Sequence, residues 1–135
     1  MSNLALAQTV KLSPTAVLER VRRLVREHYI LGYEARLNPH KLAASLLVFI
    51  EVMLDRTAPD VIERFEAAVL QHPEIMECHL VAADGFDFLL KTRVADMAAY
   101  RNFLGEVLLQ LPGVREVHTH LVLEEVRSSQ QLRVA

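Results

Sequence analysis

The sequence predicts an α+β protein, in which a helical segment at the N-terminus precedes a unit of the order β-α-β-β-α-β. Three observations support this prediction. Apolar residues recur with helical spacing before Asn38 and with mostly strand-like spacing directly after it. The second part of the chain contains two successive strand and helix patterns. The second of these patterns repeats part of the first at the level of single residues.

A capped helix is predicted from Ser13 onwards. Ser13 is a favourable N-cap, and Pro14 suits the first helical position because its missing N–H would have no partner there. The apolar stripe of this helix comprises Val17, Leu18, Val21, Leu24 and Val25. Together with a short helix over residues 4–7 and a turn over residues 9–12, the pattern indicates a helix-turn-helix.

The outer face of the same helix indicates contact with DNA. Small polar residues in its first turn can reach base edges in a major groove, while arginines along it neutralise phosphates. Residues 1–41 carry a net charge of +4 and residues 42–135 a net charge of −6, which is typical of a nucleic-acid-binding segment on an acidic domain. The alternative is an ordinary solvated helix face. The candidate DNA-binding residues are Ser13, Pro14, Thr15, Glu19, Arg20, Arg22, Arg23 and Arg26.

The segments after this helix give the expected domain boundaries. Residues 29–35 predict a strand of a wing-like element, and Asn38-Pro39 predicts a break in regular structure. We therefore expect a partial helix-turn-helix with its following strand at 1–36 and a linker at 37–43. The βαββαβ domain is expected at 44–126 and a C-terminal tail at 127–135.

The βαββαβ domain is predicted from its repeat. Strands are expected over residues 44–54, 75–82, 86–92 and 114–124. The first helix is expected to be capped by Thr57 and to end at His72-Pro73, and the second to be capped by Asp96 and to end at Pro112-Gly113. Residues 72–79 align with residues 111–118, which marks the two halves. This order predicts a ferredoxin-like, ACT-like domain with both helices on one face of an antiparallel sheet.

The first strand predicts self-association. Its apolar residues point to both sides of the sheet, since Leu46, Val48, Ile50 and Val52 alternate with Leu47, Phe49 and Met53. The helices can cover only one side. We therefore predict an obligate dimer formed sheet to sheet.

Several classes of protein are not indicated. The longest apolar run, residues 46–50, is too short to span a membrane, and the N-terminus lacks the pattern of a secretory signal. Cys78 is the only cysteine and is expected to be a buried small hydrophobe. No phosphate loop, nucleophile elbow or metalloprotease motif occurs, so neither an enzyme nor a cofactor or metal site is predicted. The expected location is the cytoplasm, without a membrane partner.

The chain resembles the leucine-responsive regulatory protein/AsnC family, the feast/famine transcription regulators. The matching stretches are LSPTAVLERVRRL, GYEARLNPHKL, ASLLVFIEV, FDFLLKTRVADMAAYRNFLGEVLLQLPGV and LEEV. The resemblance implies a bacterial, nucleoid-associated regulator that binds DNA, dimerises through its βαββαβ domain, often forms octamers, and responds to an amino acid such as leucine. Family members begin with a further helix, so a truncated helix-turn-helix with weaker DNA binding is expected here. The alternative is a stand-alone sensing and oligomerisation module that has lost DNA binding.

The resemblance also implies the residues that bind the effector. They are Leu80, Ala83, Asp84, Gly85, Asp87, Met97, His120, Leu121 and Val122. Asp87 would accept the ammonium group and the loop would donate backbone N–H groups to the carboxylate. Compared with the family the loop is one residue longer, and His120 replaces a common aromatic residue. The alternative for Leu80, Met97, Leu121 and Val122 is ordinary core, and for Asp84 with Asp87 a catalytic pair.

Histidines recur near the end of the last strand. His118 and His120 are expected on one face of that strand, with His79 near them through the repeat. A metal site would need a third convergent ligand, so interface or surface histidines are predicted instead.

Overall fold

The computed structural model describes residues 4–5, 10–11 and 13–133. The chain forms two compact units, residues 1–37 and residues 38–135. No helix of the described residues is long and apolar enough to cross a membrane.

The N-terminal unit contains the predicted capped helix. Helix α1 spans Pro14–Arg26, and the Oγ atom of Ser13 accepts a hydrogen bond of 3.1 Å from the N–H of Ala16. Val17 is its buried anchor, with 3% of its surface exposed. Leu4, Ala5 and Val10 are helical, and Lys11 forms a turn with a φ of +58°. Half of the predicted first helix and turn, namely residues 6, 7, 9 and 12, lies outside the described residues.

The predicted strand over residues 29–35 is wrong. The N–H groups of Tyr29 and Ile30 donate to the carbonyl of Leu24 at 2.8 and 3.1 Å, so the chain first closes the end of α1. The residues that follow form no strand, and Leu31 and Tyr33 expose 93% and 74% of their surface. A strand needs a hydrogen-bonded neighbour, and no described segment of this unit supplies one.

The second unit has the predicted βαββαβ order. Its elements are β1 (Leu46–Leu54), α2 (Val61–Val69), β2 (Glu77–Leu80), β3 (Phe88–Val94), α3 (Met97–Glu106) and β4 (Val114–Leu121). Single 3-10 turns lie at Pro39–Lys41 and Leu108–Gln110. The strands form one antiparallel sheet in the order β2-β3-β1-β4, which confirms the ferredoxin-like prediction.

One hydrophobic core joins both helices to one face of this sheet. Alternate residues of the two central strands are buried, including Val48, Ile50 and Val52 of β1 and Phe88 and Leu90 of β3. They pack against Phe65 of α2 and Tyr100 and Phe103 of α3. The rings of Phe65 and Phe88 lie 4.6 Å apart between centroids. The alternation of buried residues in β1 therefore sets which face of the sheet the helices cover.

The two helix starts differ in how well the sequence predicted them. Asp96 caps α3 as expected, since its Oδ1 atom accepts from the N–H of Ala99 at 2.8 Å. The prediction that Thr57 caps α2 is wrong, because α2 begins at Val61 with Asp60 in the N-cap position and no side-chain cap. The N–H of Thr57 instead donates to Oδ1 of Asp55 at 3.2 Å. That contact places Thr57 in a turn before the helix.

Candidate functional site

The candidate DNA-binding residues all lie on the surface of α1 or at its cap. Each of the eight predicted residues is exposed. Thr15, Glu19, Arg22 and Arg26 recur at intervals of four and three residues, so they share one face of the helix. Arg23 flanks that face and lies 3.9 Å from Glu27 in a weak surface ion pair. Arg20 lies away from this face. The helix therefore presents Arg22 and Arg26 on one face, with Arg23 beside them.

The candidate effector residues fall into two groups at opposite ends of the sheet. The first, which we call the loop group, lies at the end of β2 and in the loop between β2 and β3, and comprises Leu80, Ala83, Asp84, Gly85 and Asp87. The second, the strand-end group, comprises Met97, His120, Leu121 and Val122. Asp87 lies beside the end of β1 at Leu54, whereas Leu121 pairs with Val48 near its start. At about 3.3 Å per residue the two groups are roughly 20 Å apart, so they do not converge within one chain.

The loop group borders an open cleft. Its volume is about 330 Å³, and its lining includes Ala83, Gly85 and Asp87 together with Met53, Arg56 and Arg115. Gly85 has a φ of +86°, which a residue with a side chain adopts rarely, so this glycine permits the turn into β3. Arg56 and Arg115 were not predicted, because only the sheet register brings these distant residues beside the loop.

Asp87 is held by the protein itself. Its Oδ2 atom accepts a hydrogen bond of 2.9 Å from the N–H of Leu54, and its Oδ1 atom forms an ion pair with Arg56. The side chain is 15% exposed, compared with 58% for Arg56. Its backbone N–H also donates to the carbonyl of Val52 at 2.8 Å. Asp87 therefore fastens the loop to the end of β1, and an effector ammonium would have to share an oxygen that Arg56 already binds.

The apolar members of the two groups are not core residues of the single chain. Leu80, Met97 and Leu121 expose 56%, 45% and 41% of their surface. This excludes the ordinary-core alternative for those three residues within one copy. Exposed apolar side chains near polar loops are typical of surfaces that a ligand or a second subunit covers.

A second cleft lies over the start of β1. It has a volume of about 290 Å³ and is lined by Leu47, Phe49, Lys91 and the tail residues 122 and 124–128. Arg93 holds the tail there through two contacts with Glu125, of 3.1 and 2.6 Å. These hydrogen bonds keep the pKa of Glu125 below its usual range. No sequence pattern indicates this bidentate pair, since its members are far apart along the chain.

The sheet face turned away from α2 and α3 carries the histidines. We call it the open face. Strand register places Glu77, Lys91, Phe49 and His120 in one row across the sheet, and His79, Leu89, Glu51 and His118 in the next. The prediction that His118 and His120 share a face is confirmed. His79 lies on the same face but on the opposite edge strand, three strand spacings or roughly 14 Å away, so the prediction that it lies near them is wrong. Among the described residues, no three potential ligands come together as they would in a metal site.

Cys78 lies on the opposite side of the sheet. It is half-buried against the core, and this burial raises the pKa of its thiol to about 11. A thiol with such a pKa stays protonated at neutral pH and is a poor nucleophile.

Comparison with known families identifies both units. Residues 47–132 match the Lrp/AsnC ligand binding domain. Residues 1–30 match a winged helix-turn-helix DNA-binding family.

Curated relatives align along almost the whole chain. It is 61% identical over 132 residues to the leucine-responsive regulatory protein of Salmonella typhimurium, in an alignment covering 98% of this chain and 80% of that protein. The identity to the leucine-responsive regulatory protein of Escherichia coli K12 is 60%, with the same coverage.

Solved structures show the same fold with bound amino acids. A transcriptional regulator from Neisseria meningitidis in complex with L-Met superposes with a TM-score of 0.91 at 32% identity, covering 98% of this chain and 85% of that one. A feast or famine regulatory protein from M. tuberculosis complexed with L-methionine superposes with a TM-score of 0.82 at 30% identity, covering 97% and 86%.

Proposed function

Because this chain belongs to the Lrp/AsnC family of transcription regulators, we propose that it binds DNA through α1 and that an apolar amino acid modulates this binding. The observation that carries the proposal is the presence in one chain of both a helix-turn-helix match and an Lrp/AsnC ligand-binding domain. The exposed arginines of α1 favour a DNA-binding regulator over a stand-alone sensing module.

DNA binding is tested by measuring affinity for selected genomic fragments as salt is varied. Removal of one arginine that binds a phosphate should reduce the slope of log K against log salt by about one. We expect Arg22→Ala and Arg26→Ala each to weaken binding and to lower this slope. Arg101→Ala, on α3 of the other unit, is the matched control and should change neither. Binding that is absent at low salt, or equal in all variants, would contradict the proposal.

The effector is proposed to be leucine, methionine or a similar amino acid. The bound L-Met of two neighbours and the names of the curated relatives support this class. Both groups of candidate residues remain proposed contacts. Since they are roughly 20 Å apart in one chain, a site that uses both is completed between copies. A thermal-shift screen of the twenty amino acids tests the effector, because a ligand of the native state raises its stability. No shift with any of them would refute it.

We further propose a dimer formed through the open face, with octamers as a higher assembly. Phe49, Met53 and Leu89 lie on this face and are only partly buried, and neither helix of their unit covers them. Leu47 of the same face is already buried in the single chain. Burying the other three against a second copy removes apolar surface from water. Sedimentation of the full chain as a monomer at all micromolar concentrations would exclude this dimer.

The proposed location is the cytoplasm, where bacterial transcription regulators meet DNA. Binding rather than catalysis is proposed for the loop cleft. A catalytic acid or base needs a free oxygen facing its substrate, whereas Asp87 already bonds to Leu54 and Arg56. The exposed Asp84 has no such constraint, but it has no partner with a defined catalytic geometry among the described residues.

A further inference from the structure

Each histidine of the open face contacts a carboxylate. The Nε2 atom of His79 lies 3.0 Å from Glu77, that of His118 lies 3.2 Å from Glu116, and that of His120 lies 2.5 Å from Glu51. All three imidazoles keep more than half of their side-chain surface exposed. The three imidazole rings are therefore in contact with water in the single chain.

The two cations of this face are already paired. Lys91 of β3 lies 3.0 Å from Glu77 of β2, and Arg93 of β3 lies 2.6 Å from Glu125 of the tail. Glu51 of β1 and Glu116 of β4 have only imidazoles as partners among the described residues. Glu124 and Arg127 line the cleft over the start of β1 together with Phe49 and Lys91, and their opposite charges cancel. Arg115 lines the loop cleft beside Met53 and adds one positive charge at that end.

The charge of the face depends on the imidazoles. Four carboxylates (Glu51, Glu77, Glu116 and Glu125) against two cations (Lys91 and Arg93) give a net charge of −2 when the histidines are neutral. Each protonated histidine adds one positive charge, so the face approaches neutrality when two of the three are protonated. Two copies that approach through this face repel each other most when their histidines are neutral.

Desolvation adds to this effect at Glu51. Its side chain is 27% exposed and lies in the middle of the face beside Phe49 and Leu89. A second copy would remove the remaining water from it. A carboxylate buried beside a neutral imidazole costs far more than one buried in an ion pair with an imidazolium.

We infer that association of two copies through the open face takes up protons on His79, His118 and His120, so that the dimer is tighter in mildly acidic than in mildly alkaline solution. This inference rests on the proposed dimer. A second copy is the occupant that fits, because carboxylates and imidazoles alternate over the face and a two-fold axis can place those of one copy against those of the other. Histidine is the side chain that changes charge in this pH range.

The test is the monomer–dimer dissociation constant of the full chain at pH 6, 7 and 8, measured by fluorescence-detected sedimentation at nanomolar to micromolar concentrations. Uptake of one proton per dimer would weaken association about ten-fold for each pH unit of rise within the range in which the proton is taken up. We therefore expect a constant at least about ten-fold larger at pH 8 than at pH 6. The double variant His118→Gln/His120→Gln should lose most of this dependence. Glu51→Gln should associate more tightly at pH 8, because it removes the buried anion.

His72→Gln is the matched control. His72 also lies near a carboxylate, 3.7 Å from Glu74, but in the turn after α2 rather than on the open face. It should keep the full pH dependence, and circular dichroism at each pH checks that every variant is folded. A dimer whose affinity does not change between pH 6 and 8, or changes equally in His118→Gln/His120→Gln, overturns the inference and leaves the proposed dimer intact. A monomer at every pH overturns both.

Discussion

At the scale of single residues, Asp87 shows that a residue predicted to bind the effector can also form contacts that stabilise the fold. It was expected to hold the effector's ammonium group, and the structure gives it Leu54 N–H and Arg56 as partners. The two roles are compatible if the ammonium group and Arg56 share Oδ1, because a carboxylate oxygen can accept more than one hydrogen bond.

Gly113 is the residue where a single methyl group should matter most. Its φ is +75°, and a Cβ atom there would overlap the side chain of Val61 at the start of α2. We expect Gly113→Ala to lower the free energy of unfolding by about 2 kcal/mol or more, from backbone strain and the clash together. Urea denaturation at fixed protein concentration measures this.

Gly105 provides the control for that substitution. It lies within α3, and a Cβ atom there would meet nothing within 4 Å. Gly105→Ala should therefore stabilise the protein by about 0.5 kcal/mol, because alanine is the better helix former. If both alanine variants destabilised the protein equally, the steric account of Gly113 would be refuted.

At the scale of elements, helices α2 and α3 start differently, although the sequence predicts a side-chain cap for both. Asp96 bonds to the backbone of α3, whereas Thr57 precedes α2 by a turn. We expect Asp96→Ala to cost about 1 kcal/mol of unfolding free energy and Thr57→Ala to cost less than about 0.5 kcal/mol. Chemical denaturation of both variants compares them. If Thr57→Ala lowered the unfolding free energy as much as Asp96→Ala, this result would support Thr57 as the cap of α2.

The C-terminal tail is an element whose docking should depend on pH. Hydrogen bonds from Arg93 lower the pKa of Glu125 in the folded state below its ordinary value of 4.5. Docking is therefore fully supported above about pH 4.5 and is lost as the pH falls through the lowered pKa. Nitrogen relaxation measurements on residues 122–128 should show an ordered tail at neutral pH and a mobile one in strong acid.

Substitutions at neutral pH separate the effect of the contact between Arg93 and Glu125 from the other effects of acid on the protein. Glu125→Gln should free the tail already at neutral pH, because a neutral amide forms a weaker contact with the guanidinium group. Glu124→Gln, at the neighbouring position, is the control and should leave the tail ordered. A tail that stays ordered in Glu125→Gln would show that other contacts hold it.

At the scale of the whole molecule, the separation of the loop group from the strand-end group matters most. An effector that touches both needs two copies, so its stabilising effect should grow with protein concentration. We expect the thermal shift caused by a saturating effector to be larger at high than at low micromolar protein. A shift that stays constant over concentrations at which the unliganded chain changes from monomer to dimer would place the effector within one copy and contradict the shared site.

Local chemistry allowed much of the fold to be predicted from the sequence. The cap at Ser13, the cap at Asp96 and the βαββαβ order depend on residue type and spacing within short stretches, and all three are confirmed. The strand over residues 29–35 failed because a strand is defined by its partner rather than by its own residues.

Residue type and spacing alone were enough to define most elements and their order, because backbone preference and apolar periodicity are local properties. Because β1 is apolar on both sides, only the folded chain showed which of its faces the helices cover. Contacts between residues that are distant along the chain could be identified only in the folded structure. They are Asp87 with Arg56, Arg93 with Glu125, and His120 with Glu51. These pairs follow from strand register and from the paths of the loop and the tail. Both are set by packing over the whole sheet, since a shift of one residue in any strand would move every one of its side chains to the other face.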